Sequence, residues 1–438
     1  MRKVNIGLVG CGVVGSSLVT QLHEKHQRII DEFNIDIRIT KVLVRNKNSS
    51  RDVPSKSKIF SNNDSEQNFI DVLTEIGEDI SDNKDIDLVV EVAGGVDDAY
   101  AIISSSLKNS KSVVTANKAL LALKGNELYS TATQNGVDLL FEAAVGGGVP
   151  LIRPIRESLA VEHINSVKGI LNGTTNYILS QMTANSLSYG DALSQAQQLG
   201  YAEADPTADV EGHDAAAKIA IISLLAAGAN ALQSDVKCIG ISNVTDVDIQ
   251  TAKDLGYVIK LIATVQEKNQ EEVFLRVEPT LVPMTHPFST VHDGFNAVFV
   301  EGEKLGEAMF YGRGAGGDPT ASAVLGDVID ASINIAYERK GSVVGFAFDR
   351  KIADPRNWES CFYISIDVVD QPGVLAQVTK IFGEHKISIG TMHQLSRDDN
   401  ANIILLTHKV EDGSIQDAVQ DLEKLDVVKA VKSVFPIL

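Results

Sequence analysis

Residues 4–15 read Val4-Asn5-Ile6-Gly7-Leu8-Val9-Gly10-Cys11-Gly12-Val13-Val14-Gly15. Val4 to Val9 is a short run rich in β-branched residues, which predicts a strand. It meets Gly10-x-Gly12-x-x-Gly15, after which Ser16 to about Phe33 carries a helical pattern. Ile37 to Val44 is the next strand-like run. Strand, glycine turn, helix and strand make one βαβ unit. Glycines at such a turn let the backbone approach a pyrophosphate, which then lies on the helix N-terminus. The glycine spacing alone is a weak signal, but the strand before it and the helix after it supply the required context. The alternative is a tight strand–helix turn with no ligand.

The alternation continues. Ile86 to Val92, Ser112 to Ala116 and Val137 to Phe141 read as strands with helical patterns between them. This predicts an α/β fold with a doubly wound parallel sheet of the Rossmann type. Ligands bind beyond the carboxyl ends of such strands. Gly94-Gly95, Asn117-Lys118, and Glu142 with Gly146-Gly147-Gly148 all fall there. Gly10, Gly12, Val13, Val14 and Gly15 are the expected dinucleotide contacts. An acid after the second strand would bind the adenosine ribose and favour NAD. The chain instead offers Val44-Arg45-Asn46-Lys47, with no acid before Asp52. Arg45 and Lys47 suit a 2′-phosphate, so NADP is expected. NAD stays open if these are only surface cations in a polar loop.

At 438 residues the chain exceeds one ordinary domain. Its net charge of −19 argues against nucleic acid as a partner. Cys11, Cys238 and Cys361 form no CxxC or Cys/His cluster. That argues against structural zinc and a disulfide framework, and it suits a cytoplasmic protein. No apolar run reaches the ~20 residues of a membrane span, so no membrane association is expected. Met1-Arg2-Lys3 before Val4–Cys11 imitates a signal peptide only superficially. The apolar part is short and holds Asn5, whereas a signal core needs ~7–15 apolar residues.

From about Val149 the pattern changes. Arg153 to Ala160 looks helical and Ile164 to Ile170 like a strand. Leu171-Asn172-Gly173-Thr174-Thr175-Asn176 then opens a helix, with Thr or Asn as N-cap. Val273 to Val277 and Asn296 to Val300 read as antiparallel strands, which makes this an α+β substrate domain. Gly312 to Thr320 is a second glycine-rich loop. The helix after it, Ala321 to about Ala336, could return the chain to the cofactor. Glu338 to Glu359 reads as a polar linker. A βαββαβ unit fits the remainder, with strands at Phe362–Val368, Ile387–Gln394, Ile403–Val410 and Val428–Phe435 and helices at Val374–His385 and Ser414–Leu425. The expected division is 1–136, completed by 312–338, for the nucleotide domain. Residues 137–311 form the catalytic and dimerisation domain, 339–359 the linker, and 360–438 a regulatory module.

The densest chemistry lies between Leu199 and Lys218, in L-G-Y-A-E-A-D-P-T-A-D-V-E-G-H-D-A-A-A-K. Glu203, Asp205, Asp209, Glu211 and Asp214 crowd together, and Ile219 onward is apolar on every face. A helix without a polar face is buried, so Asp214 and Lys218, at i,i+4, sit where an internal helix begins. Charges in such a place need partners or a purpose. A nicotinamide enzyme needs a proton donor for the substrate oxygen. An acylating aldehyde dehydrogenase would need a nucleophilic cysteine, and a zinc enzyme a ligand cluster. Neither is present, which leaves a lysine, histidine or tyrosine as acid/base in simple carbonyl reduction; Lys218, with Asp214 one turn earlier, is the strongest candidate. The bland alternative is an i,i+4 ion pair beside a solvated acidic loop. His213 is a rival acid/base by chemistry alone.

These residues carry a resemblance. Gly10-x-Gly-x-x-Gly15, Glu142-Ala-Ala-Val-Gly-Gly-Gly-Val-Pro150, Gly169-Ile-Leu-Asn-Gly-Thr-Thr-Asn176, and Gly200-Tyr-Ala-Glu-Ala-Asp-Pro through Asp214 to Lys218 resemble the homoserine dehydrogenases. The resemblance covers nearly the whole chain. The tail, with Asp370-Gln-Pro-Gly-Val-Leu375, looks like an ACT domain, a small amino-acid-sensing fold. The resemblance implies reversible NAD(P)-dependent reduction of L-aspartate 4-semialdehyde to L-homoserine, on the branch toward threonine, methionine and isoleucine. It implies Lys218 as proton donor held by Asp214, with Glu203 on the substrate amino group and Asp209 beside the reacting end. It places Lys118 near cofactor and substrate and Gly316 against the cofactor. Glu142, Val145, Gly147 and Val149 match a turn that binds a monovalent cation, usually sodium, largely through backbone carbonyls. Asp370, Gly373 and Val374 match an effector site, most simply for threonine. A homodimer or dimer of dimers is implied. A non-catalytic amino-acid sensor is the rival of another class. The intact Lys218 and its acidic partners speak against it.

Overall fold

The computed structural model describes every residue except 62–64, 340–349 and 398–399. The chain packs as two compact units. One comprises Met1–Glu162, Ala220–Gln233 and the described part of Phe310–Asp349; the other comprises His163–Ile219, Ser234–Met309 and Arg350–Leu438.

In the first unit the opening stretch forms strand β1 (Arg2–Val9). The other strands are β2 (Ile35–Leu43), β3 (Leu73–Thr74), β4 (Leu88–Glu91), β5 (Ser112–Thr115) and β6 (Leu139–Leu140). They pair in parallel in the order β3-β2-β1-β4-β5-β6. This is the Rossmann order, with its switch point between β1 and β4. The helix Val13–Phe33 buries Gly15, Leu18, Val19, Leu22 and Ile29, a stripe at helical spacing. The chain returns to this unit late: Ala321, Val324, Leu325, Val328 and Ala331 of the helix Gly317–Ala336 join the same core. One expected helix is met in altered form. The helix foreseen over Arg153–Ala160 is little more than a π turn, Pro154–Ser158. Proline has no N–H to continue a helix from within, and the first N–H groups of the turn go to a side chain described below.

The second unit is built on one mixed sheet. Its strands are β7 (Ile164–Ile170), β8 (Tyr257–Glu267), β9 (Glu272–Pro283), β10 (Phe295–Gly302), β11 (Gly306–Arg313, which runs on into the first unit), β12 (Glu359–Val369), β13 (Ile389–Arg397), β14 (Asn400–Thr407) and β15 (Val428–Ile437). The order is β11-β10-β7-β8-β9-β15-β12-β14-β13. The last four strands, with helices Val374–Glu384 and Asp412–Leu422, form an antiparallel βαββαβ module with its own apolar core. The module therefore extends the preceding sheet, joined to it through the parallel pair Leu281–Ile437. The described part of the expected linker is also structured: Lys351–Ile352 pairs with β9, and Pro355–Asn357 makes a 3-10 turn.

Candidate active site

At the carboxyl ends of β1, β4 and β5 the first unit forms a polar, glycine-lined rim. Gly10 has φ +94°, and a Cβ there would lie 2.7 Å from the main chain of Ala93. A Cβ on Gly15 would lie 2.4 Å from the Gly10 carbonyl. These glycines let β1, the loop after β4 and the first helix close on one another. Gly12 differs: nothing lies within 4 Å of where its Cβ would be. Its outer face is open, the helix it precedes has no side-chain cap, and no acid stands in the first turn. That leaves N–H groups and the positive helix end for an anion. Buried Glu91 accepts the N–H groups of Ala93 and Gly94 and the Thr115 hydroxyl, which orders the Gly94-Gly95 loop. Asn117 caps the next helix through Leu120 N–H and donates to the Gly95 carbonyl. Lys118 is thereby held exposed at that helix's first residue.

The late loop belongs to the same unit. A Cβ on Gly317 would meet Val13 at 2.8 Å, and Asp318 accepts the Ser17 hydroxyl at 2.6 Å. Gly316 is thus placed beside the glycine turn, next to exposed Val13. Arg45 and Lys47 are exposed after β2, and Glu75 accepts the Lys47 N–H at 2.9 Å.

The second unit gathers the other chemistry. The helix His213–Ala227 starts at the carboxylate loop, and Asp214 and Lys218 are 8% and 9% exposed. Lys218 Nζ donates to Asp214 Oδ2 and to the Leu171 carbonyl, both at 2.7 Å. Asn172 Nδ2 donates to Asp209 Oδ1 at 2.7 Å and to Asp214 Oδ2 at 2.9 Å. Its Oδ1 accepts Thr175 N–H as the N-cap of the helix Gly173–Asn185. One asparagine therefore closes a chain Asp209–Asn172–Asp214–Lys218. Glu203 is exposed, and its carbonyl accepts from Gln197.

The acids whose roles the sequence left open acquire local ones. Asp205 accepts the Thr207 N–H and hydroxyl, which pulls its carboxyl below the usual range and closes the turn after Pro206. Glu211 takes the Ser242 hydroxyl, while its carbonyl accepts from Cys238. His213 is exposed.

Comparison with known proteins identifies the family. The model for the homoserine dehydrogenase catalytic domain matches residues 150–329. That for the NAD-binding domain of homoserine dehydrogenase matches residues 10–142. The enzyme from Corynebacterium glutamicum is 40% identical over 98% of this chain and 95% of its own length. That from Bacillus subtilis is 38% identical over 99% and 98%. The chain belongs to the homoserine dehydrogenase family.

It is accordingly an oxidoreductase with an NAD(P)-binding domain, and an ACT model matches residues 362–427. The crystal structure of a homoserine dehydrogenase from Thiobacillus denitrificans superposes with a TM-score of 0.90 at 35% identity, covering 100% of this chain and 98% of that one. A hyperthermophilic archaeal homoserine dehydrogenase in complex with NADPH covers 76% of this chain and 98% of its own, at TM-score 0.62 and 26% identity. Among the described residues no helix is long and apolar enough to cross a membrane.

Two further expectations of homoserine dehydrogenase resemblance are placed by the fold. At the Glu142–Val149 turn the Glu142 carboxylate accepts the N–H groups of Leu151, Ile152 and Arg153. It thereby caps the π turn. At the first turn of the ACT module Asp370 and Gly373 are exposed, whereas the Val374 side chain is buried in the module's core. Asn172 and the Leu171 carbonyl are the site groups that the sequence reading did not single out. Asn172 stood in the quoted motif as a candidate cap. Its second role requires the Asp209 and Asp214 carboxylates to be brought to it by the fold.

Proposed function

We propose that this chain catalyses the reversible reduction of L-aspartate 4-semialdehyde to L-homoserine, with Lys218 as proton donor. What carries the reading is the use of Lys218's protons. An ammonium has three donors. Two are occupied by Asp214 and the Leu171 carbonyl, which fixes the side chain and leaves one for a substrate oxygen. Bound NADPH supplies the hydride. Lys218 gives its proton to the oxygen as negative charge develops, and Asp214 balances the charge. Asp209, oriented by Asn172, lies beside the reacting end, and Glu203 holds the substrate ammonium. Fixing both ends removes orientational freedom before reaction.

Gly10, Gly12, Val13, Val14, Gly15, Lys118 and Gly316 would line the cofactor. The open face of Gly12 and the uncapped helix fit a pyrophosphate. Arg45 and Lys47 would favour NADP over NAD. A monovalent cation, sodium by resemblance, would be held by the carbonyls of Glu142, Val145, Gly147 and Val149. The turn fits it: the Val145, Gly147 and Val149 carbonyls accept none of the described loop and turn hydrogen bonds. Gly147 also packs too tightly on the Gly314 carbonyl for any Cβ. Threonine would act at Asp370, Gly373 and the Val374 backbone. A homodimer or dimer of dimers and a cytoplasmic role in threonine, methionine and isoleucine synthesis complete the reading.

The test is Lys218→Met in the full chain. Expected is a fall in kcat of ~10²–10⁴, the range of general acid catalysis, with NADPH affinity retained by fluorescence titration. Turnover like the wild type would remove Lys218 from the mechanism. Following NADPH and NADH oxidation side by side, with and without threonine, tests cofactor preference and effector.

A further inference from the structure

The last residue of the Asn172–Asn176 motif has its own buried partner. Lys260, on β8, is 3% exposed. Its Nζ donates to Asn176 Oδ1 at 2.9 Å and to the Val291 carbonyl at 2.6 Å. Asn176 Nδ2 in turn faces three carbonyls of one loop, Val291 at 3.3 Å, Asp293 at 2.9 Å and Phe295 at 3.1 Å. An amide can present oxygen or nitrogen to the same place by flipping. Lys260 accepts nothing, so it forces the oxygen toward itself and the nitrogen toward the loop. The loop is packed hard on both sides. A Cβ on Gly294 would lie 2.4 Å from the Tyr201 ring, and one on Gly173 would lie 2.8 Å from the Gly294 carbonyl. Tyr201 stacks on Tyr177 at 4.6 Å, and its carbonyl accepts the Thr174 hydroxyl. Two residues later stands Glu203.

We propose that Lys260 is a positioning residue for substrate binding: it fixes the Asn176 amide and, through the Val291–Phe295 loop, the Tyr201–Glu203 segment. This rests on the reading of Glu203 as the contact of the substrate ammonium. Burial pushes the Lys260 pKa down to about 8, and Asp293 is the charged group that opposes this. As an ammonium it only donates, and that is what fixes the orientation of the Asn176 amide.

The experiment uses the full chain with Lys260→Met, Gly294→Ala, the double variant and Glu203→Gln. Homoserine oxidation gives kcat and KM, titration gives NADP+ affinity, and thermal unfolding gives Tm. Losing a buried hydrogen-bonded positioner is expected to raise the homoserine KM about tenfold. Expected alongside are a kcat within about twofold and unchanged NADP+ affinity, with a lower Tm because two buried acceptors lose their donor. Gly294→Ala should raise KM similarly, and the double variant should be no worse than the worse single, since both act on one loop. If Glu203→Gln raises KM while Lys260→Met and Gly294→Ala do not, Lys260 is a core residue only and the proposal is wrong. Losses of kcat and NADP+ affinity equal to the rise in KM would also overturn it. A normal KM in Glu203→Gln would instead overturn the substrate-amine reading, and this proposal with it. If Lys260→Met does not fold, Lys260→Gln, which keeps an N–H donor at that site, decides: a normal KM there with a raised KM in Glu203→Gln overturns the proposal.

Discussion

Asn172 does three things with one amide: it caps a helix, orients Asp209, and shares Asp214 with Lys218. The functions can be separated. Asn172→Asp keeps an oxygen for the cap but replaces the donor by a carboxylate facing two others. The cap alone contributes about 1 kcal/mol, and aspartate serves it as well as asparagine. The expectation is a nearly normal Tm with kcat reduced about 10- to 100-fold, from a lost charge-assisted bond and added repulsion. The kcat–pH profile should shift as well. A variant whose kcat falls only in step with its Tm would show Asn172 to be a cap and nothing more. Gly10 is the counterpart in the nucleotide unit. Ala there meets Ala93 main chain at 2.7 Å in a φ region that side chains avoid. Gly10→Ala should weaken NADPH binding about tenfold or more by opening the turn, strain of this kind being about 1–3 kcal/mol. Fluorescence titration reads this directly.

Among elements, the π turn Pro154–Ser158 is set by groups far from it in sequence. Its leading N–H groups end on Glu142, and Asp327 of the late helix accepts both Glu142 N–H at 2.7 Å and the Arg153 guanidinium at 3.0 Å. Burial pushes the Asp327 carboxyl up to about 7, the partners offsetting only part of that. A carboxyl with a raised folded pKa binds more protons folded than unfolded between its two values. Its contribution to stability therefore falls as pH rises through that window. Asp327→Asn removes the titration and keeps an acceptor for Glu142 N–H. The difference in Tm between variant and wild type should climb from about pH 4 to about pH 7 in the variant's favour. A flat difference would show Asp327 to be ionised throughout. The expected helix over Arg153–Ala160 is met as a short, wide turn rather than a regular α-helix, because its leading N–H groups are taken by Glu142 and its hydrogen-bond pattern is π.

For the whole molecule, the C-terminal module is not an appendage in its own unit. Arg276, 1% exposed on β9, stacks on Trp358 at 4.0 Å and pairs with Glu278 and with Asp412 at the start of a module helix. Lys237 reaches the same Asp412 at 2.9 Å. A second junction joins Asp248 to Tyr363 at 2.9 Å and Ser433 at 2.7 Å. Removing one partner of a buried charge cluster strands the others, so Asp412→Ala should lose about 3 kcal/mol of stability, measurable by denaturant unfolding. Truncation after Arg356 would uncover Arg276, Asp248 and the edge of β9 together. The truncated chain is expected to unfold at lower temperature, which makes it a poor probe of feedback. A substitution at exposed Asp370, Asp370→Ala, tests the effector site while leaving both junctions in place. It should raise the threonine concentration needed for inhibition, with basal kcat unchanged.

Gly10-x-Gly-x-x-Gly15, the strand–helix alternation, the apolar helix after Lys218 and the βαββαβ tail were legible because each is written within one or two elements. Hydrophobic period and glycine placement are local signals, and they suffice for fold class, for the family and for the pairing of Asp214 with Lys218 at i,i+4. What joins distant segments was not legible. The meeting of Asn172 with Asp209 and Asp214, the hold of Glu142 on Leu151–Arg153, the buried Lys260 beside Asn176 and the joining of β9 to β15 all depend on groups brought together only when sheets register and helices pack. A hydrogen bond or buried ion pair is decided by ångström-scale distance and by exclusion of water, and neither is a property of the order of residues along the chain.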